Sequence, residues 1–172
     1  MFHVERIVKS IIFKGLTTFL LPFFLLLSCV GLQQRVPISD YVIVTNGKEV
    51  LGNKNLSAFI FENNLKKLPI EQFLAAKFNT NSYSQTEFWI TIDKNKYQIM
   101  IYDKADYEKY FISYNFAVMN FEPENAKSND QRTFIAISMI NSNNEDCLND
   151  NSLYQNIAVN YLKQLKEEFY NQ

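Results

Sequence analysis

Two cysteines, one histidine and 18 carboxylates are the residues whose side chains could do chemistry, and their placement narrows what that chemistry can be. The histidine is His3, so everything after it lacks an imidazole. That excludes serine and cysteine hydrolases with a histidine base, and it excludes zinc sites built on histidine. Cys147 lies among Glu145, Asp146 and Asp150. Those acids disfavour a thiolate, so Cys147 reads as a small, partly buried thiol and not as a nucleophile. Asp103 with Asp106 or Glu108, and Glu122 with Glu124, are carboxylate pairs close in sequence. A glycoside-cleaving pair must face each other across a cleft, about 5 or 6.5–9.5 Å apart, and neighbours on a surface loop are ordinarily plain surface acids. No Ser-x-x-Lys occurs, which removes the commonest histidine-free serine nucleophile. Residues 141–150 are rich in oxygen ligands, with Asn143, Asn144, Glu145, Asp146 and Asn149. Counted from Asn141, the sixth position that an EF-hand loop fills with glycine is Asp146, so the run reads as a solvated loop entering a helix. Nothing calls for a metal or another cofactor, and no catalytic residue is expected.

The remaining thiol, Cys29, stands in a different setting. Arg6, Lys9 and Lys14 outweigh Glu5 before a charge-free stretch from Gly15 to Gln34, and Leu26-Leu27-Ser28-Cys29 closes its apolar core. Net positive charge before an apolar run marks a secretory leader, and Pro22 disfavours a straight membrane-spanning helix. Leucine three residues before the cysteine and a small residue directly before it resemble the lipobox of bacterial lipoproteins. Low arginine, glycine and proline with abundant asparagine and lysine is similar to such proteins from Bacteroidota. The resemblance covers residues 1 to about 29. It implies cleavage before Cys29, a diacylglyceryl thioether on its sulfur and an acyl group, such as palmitate, on its new amino terminus. Several acyl chains, at about 0.8 kcal/mol per buried methylene, hold a domain firmly to a bilayer. The alternatives are an uncleaved span, since the run is long enough for ~30 Å of hydrocarbon, and a cleaved leader without lipid. Basic residues before the run keep the amino terminus inside, so the lipidated and spanning forms both place the rest of the chain outside the cytoplasm. Val30 stands where an inner-membrane retention signal has aspartate, and residues 30–35 lack the acidic cluster of surface-exported forms. The resemblance therefore implies the outer membrane, facing the periplasm.

After the leader, residues 29–172 carry 14 Lys and Arg against 17 Asp and Glu, a net charge of −3. Nucleic acid is not expected as a partner, because phosphate binding needs a basic patch. The expected organisation is a leader over 1–28, a lipidated tether over 29–40 and a single α+β domain over 41–172, long enough for one core.

Within that domain Tyr41 to Thr45 reads as a strand, Asn46-Gly47 as a tight turn and Lys48 to Leu51 as the returning strand. Leu56 to Phe61 reads as a third strand, with a helix the alternative because short apolar runs are ambiguous. Pro69 opens a helix with Ile70, Phe73, Leu74 and Phe78 at helical spacing. Phe88, Ile90 and Ile92, then Tyr97, Ile99 and Ile101, alternate on either side of residues 93–96, which predicts a hairpin central in a sheet. Asp103 caps a helix from Lys104 to about Ile112 that turns Tyr107, Tyr110 and Phe111 inward. Phe116 to Phe121 and Thr133 to Ile140 read as strands. Ser152-Leu153-Tyr154-Gln155 has the form of a capping box before a C-terminal amphipathic helix. It runs from about Ser152 to Phe169; Leu153, Ile157, Tyr161, Leu165 and Phe169 face in, Leu162 widens that stripe, and Lys163, Lys166, Glu167 and Glu168 face out. The expected fold is α+β, an antiparallel or mixed sheet built from hairpins with about three helices. The tyrosines Tyr97, Tyr102, Tyr107, Tyr110 and Tyr114 suit half-buried sheet positions.

The functional expectation is a membrane-anchored envelope lipoprotein without enzymatic activity, acting on an envelope protein partner as an interaction or accessory module. The rival expectation is a carboxylate-based enzyme on envelope glycans, or a module binding a glycan or small ligand, with paired acids beside a tyrosine or Trp89.

Overall fold

The computed structural model describes residues 35–50, 55–112, 116–119, 130 and 132–172. The leader, Cys29, Tyr114, Glu122 and Glu124 lie outside the described residues.

Phe134–Asn141 (β7) is the middle of the fold because its sequence is apolar on both faces, and all eight of its residues are buried. Ser57–Glu62 (β3) is buried throughout as well. Val42–Thr45 (β2), Glu87–Ile92 (β4) and Asn95–Ile101 (β5) complete a five-stranded antiparallel sheet in the order β2-β3-β7-β5-β4. Val36–Pro37 (β1) and Phe116–Ala117 (β6) form a second, two-stranded parallel sheet. Helices Ile70–Lys77 (α1), Lys104–Phe111 (α2) and Gln155–Tyr170 (α3) give the described residues three helices. The class is α+β, as expected, with the hairpin-built sheet and the C-terminal helix both present.

Side-chain alternation sends Phe59, Phe61, Ile135, Ile137, Met139, Tyr97, Ile99, Phe88 and Ile90 to one face of the sheet, where α1 and α3 cover them. Phe169 of α3 meets Phe61 edge-on at 6.3 Å and Phe73 of α1 at 5.7 Å, and Phe78 meets Phe88 at 5.4 Å. Ala58, Ile60, Phe134 and Ala136 point to the other face, where Tyr107 and Phe111 of α2 cover them. The Asp103 carboxylate accepts from the Asp106 N–H at 2.8 Å, so α2 has the expected cap.

Several local expectations are corrected. β2 pairs with β3, Val42 opposite Ile60 and Thr45 opposite Ser57, and not with a strand beginning at Lys48. Asn46-Gly47 is no tight turn. A Cβ on Gly47 would lie 2.0 Å from the Tyr102 hydroxyl oxygen and 2.9 Å from the Leu56 carbonyl oxygen, so glycine is needed there for close approach. The β4–β5 turn is shorter than residues 93–96, with Asp93 and Lys94 alone at φ 48° and 69°. Both positive angles belong to the turn whose twist matches the flanking strands. β4 is an edge strand and not a central one. The Phe116 strand has two residues.

Ile38, expected in the tether, is 3 % exposed within the second core cluster. The Ser152 hydroxyl accepts from Tyr154 N–H at 3.2 Å while the Gln155 amide reaches Asp150, so the capping box does not form. Leu153 precedes the helix and is 93 % exposed. The buried stripe of α3 is Ala158, Leu162, Leu165 and Phe169, and it includes Lys166, whose ammonium bonds the Asp40 carboxylate.

Candidate interaction surface

The described acids that were candidates for chemistry are held in local bonds. Asp103 caps α2, Asp106 pairs with Lys48, and Glu108 stands 3.9 Å from Lys104 on the same helix. In the 141–150 loop, Asp146 accepts from Ser57 N–H at 2.7 Å and Leu148 N–H at 2.9 Å. Glu145 accepts from the Asn141 side chain at 2.6 Å. Among the described residues no group of three or more His, Cys, Asp or Glu could hold a metal. Cys147 is fully buried, and its N–H bonds the Met139 carbonyl at 2.9 Å. Burial first, and Asp146 and Glu145 second, push its thiol up to about 12. At neutral pH it is protonated and poorly nucleophilic.

The tyrosines are mostly structural. Tyr97, Tyr102 and Tyr107 are buried and Tyr110 is half-buried. Tyr102 joins a relay: it accepts from Lys48 N–H at 3.2 Å and meets Ser138 Oγ at 2.8 Å, and Ser138 donates to the Ser57 carbonyl at 2.7 Å. That chain uses the hydroxyls of both Tyr102 and Ser138 in cross-strand bonding.

Sequence reasoning missed a buried ion cluster. Arg132 is 6 % exposed. It bonds Asp130 from Nε at 2.9 Å, Glu71 from an Nη at 2.6 Å and the Tyr102 carbonyl from the other Nη at 2.6 Å. A planar fork with several donors suits such a three-way contact. It ties α1 to the ends of β5 and β7. The only hint in sequence is the Asp130-x-Arg132 spacing just before β7.

The open side of the sheet is different in kind. On β4, Phe88 and Ile90 are buried while Glu87, Trp89 and Thr91 are exposed, Trp89 at 59 %. Trp89 stands opposite Gln98, and Thr91 opposite Lys96, so these side chains share a face. Gln98 donates to the Glu87 carboxylate at 2.9 Å. A depression of about 310 Å³ is lined by Trp89, Ile90, Thr91 and Lys96. A large aromatic left exposed beside a concavity is the kind of residue that anchors protein contacts.

Among the described residues β4 also has no neighbour on its outer side. A two-residue turn makes Ile92 and Asn95 a hydrogen-bonded pair, and the alternation then bonds Ile90, Phe88 and Thr86 inward to β5. The Ile101 N–H to Thr86 carbonyl bond at 2.7 Å fits that phase. The N–H and C=O groups of Glu87, Trp89 and Thr91 therefore face outward. The Gln85 side-chain amide covers the Glu87 carbonyl.

A second concavity, about 610 Å³ and open, lies at the entry to α3 among Asn143, Glu145, Asp146, Asn149, Ser152 and Tyr154. No described helix is long and apolar enough to cross a membrane. Comparison with known proteins finds no matching family model, no matching curated protein and no matching solved structure.

Proposed function

We propose that this chain is a lipoprotein of the bacterial cell envelope, anchored through acyl groups on Cys29 to the periplasmic face of the outer membrane. It acts by protein contact and not by catalysis. The observation that carries the contact reading is the β4 edge: outward main-chain groups at Glu87, Trp89 and Thr91, with the Trp89 ring exposed on the same strand. Unpaired edges are normally short, charged or covered, and a bare one with an aromatic side chain invites an added strand. The anchor rests on the lipobox resemblance. The absence of catalysis is supported by the missing imidazole and by the bonding of Asp103, Asp106, Glu145, Asp146 and Cys147.

The test has two arms. Labelled palmitate enters the wild-type chain and not Cys29→Ala, which leaves the membrane fraction. A photo-crosslinking residue at position 89 gives a protein adduct in cells, while one at exposed Tyr83 does not. Unlabelled wild-type chain removes the anchor, and equal or absent adducts at the two positions remove the contact surface.

The larger concavity favours a second reading, a module for a neutral, hydroxyl-rich ligand such as an envelope oligosaccharide. Asn143, Asn149 and Ser152 offer amides and a hydroxyl beside the Tyr154 ring. Both Asp146 oxygens already accept main-chain N–H bonds, so this would be a binder and not a paired-acid hydrolase. Thermal shifts with soluble envelope oligosaccharides test it, and an unchanged midpoint across the series removes it.

A further inference from the structure

We infer that the β4 edge is the interface of a symmetric homodimer, in which two copies pair β4 with β4 antiparallel about a two-fold axis at Trp89. This rests on the contact surface proposed above and names its occupant. The strand is self-complementary. With Trp89 opposite Trp89 of the second copy, Glu87 falls opposite Thr91 and Thr91 opposite Glu87. Each of these three pairs joins residues whose N–H and C=O groups already face outward, so each can exchange both bonds. The Gln85 amide, now on the Glu87 carbonyl, is displaced by the incoming Thr91 N–H.

Charge follows the same symmetry. Thr91 lies beside Lys96 across the hairpin, so the Glu87 carboxylate of one copy enters a row that ends at Lys96 of the other. The two-fold axis makes this contact twice. Among registers centred on an outward-facing residue, the other two are worse. Centring the axis on Glu87 opposes two carboxylates, which is unfavourable. Centring it on Thr91 runs each strand into the turn at Asp93-Lys94 and loses pairs. The depression beside Trp89, about 310 Å³ and lined by Ile90, Thr91 and Lys96, receives the indole of the second copy. A heterologous peptide could use the same main-chain groups. The symmetric placement of Glu87 and Thr91 about Trp89, with Lys96 behind Thr91, is what selects a second copy.

The experiment uses the full chain purified in detergent, with sedimentation equilibrium as the readout. The wild type is expected at twice the mass of one chain across the micromolar range. Trp89→Lys places two ammonium groups opposite each other and raises the dissociation constant about tenfold or more. Trp89 is exposed, so its helix and sheet signals and thermal midpoint stay those of the monomer fold. Thr91→Pro deletes an outward N–H without touching the β4–β5 ladder and has the same effect. Oxidation of Trp89→Cys gives a covalent dimer, because directly opposed residues sit about 5.5 Å apart at Cα, within disulfide range. Thr91→Cys gives none, since its counterpart lies four residues out of register, beyond about 10 Å. Wild-type chain is the control for Cys29 and Cys147. A monomeric wild type, an unweakened Trp89→Lys dimer, or equal cross-linking at positions 89 and 91 overturns the inference. If the wild type is monomeric while the photo-crosslinker at position 89 still captures another protein, the dimer falls and the contact surface stands. If neither is seen, both fall.

Discussion

Two tyrosines in the same interior should respond to one substitution with opposite signs. Tyr97 is 1 % exposed and its hydroxyl has no hydrogen-bond partner among the described residues, while its ring packs edge-on to Tyr154 at 6.1 Å. Tyr102 is 2 % exposed, and its hydroxyl accepts from Lys48 N–H and bonds Ser138 Oγ. Tyr→Phe removes the same oxygen from each and leaves the ring packing in place. At position 97 it deletes a desolvated, unmatched hydroxyl, whose burial costs about 1–3 kcal/mol. Tyr97→Phe should therefore be neutral or stabilise by about 1–2 kcal/mol. At position 102 it breaks a satisfied relay and should cost about 1–2 kcal/mol. The two variants should differ by about 1–4 kcal/mol, which for a domain of this size separates their midpoints by roughly 3–15 °C. Urea unfolding followed by circular dichroism, with a common slope, measures both. A loss of about 1 kcal/mol or more in Tyr97→Phe, matching Tyr102→Phe in sign, would show that the hydroxyl of Tyr97 has a partner and refute the reasoning.

Other substitutions probe the remaining contacts. Arg132→Ala strips a buried cation from Asp130 and Glu71 and should cost about 3–5 kcal/mol, with Arg132→Lys a poor rescue because a single ammonium cannot replace the fork; chemical denaturation of the three proteins decides this. Gly47→Ala drives a methyl into the Tyr102 hydroxyl and the Leu56 carbonyl and should lower the thermal midpoint markedly, more than Ala substitution at exposed Thr91. Alkali should unfold the protein ahead of any effect of acid on these groups. Burial raises Cys147 from 9.0 to about 12, and Tyr107, Tyr161 and Tyr170 from 10.0 to about 12. The folded state keeps these protons after the unfolded chain has released them. Their contribution is full below about pH 9 and is lost progressively toward pH 12, so the urea midpoint should fall across that window. Thiol labelling of Cys147 should be slow on native protein at neutral pH and fast in denaturant.

What could be read in advance was local. The alternation of Phe88, Ile90 and Ile92 with Trp89 and Thr91 gave β4 and which of its side chains share a face, because strand period alone decides that, while the exposure of Trp89 was not foreseen. The edge position of β4 was not legible, since it depends on β7 inserting between β3 and β5, strands distant in sequence. Asn46-Gly47 carried the signature of a turn, yet its glycine serves a contact with Tyr102, 55 residues on. In α3 the recurrence placed Leu162, Leu165 and Phe169 inward correctly, with Ile157 and Tyr161 packed against the same core, but Leu153 lies before the helix begins at Gln155 and Ala158 was not singled out. Lys166 looked like a surface charge until Asp40, far away in sequence, supplied its partner.

The early start of folded structure at β1 sets a reach. Under the proposed acylation of Cys29, six residues would lie between the anchor and Val36, a distance of at most roughly 25 Å at full stretch. A leash this short would hold the body within that distance of the lipid headgroups. Under the proposed anchoring and pairing, copies would meet by sliding sideways in a thin layer, where their local concentration would far exceed that of the same molecules free in solution.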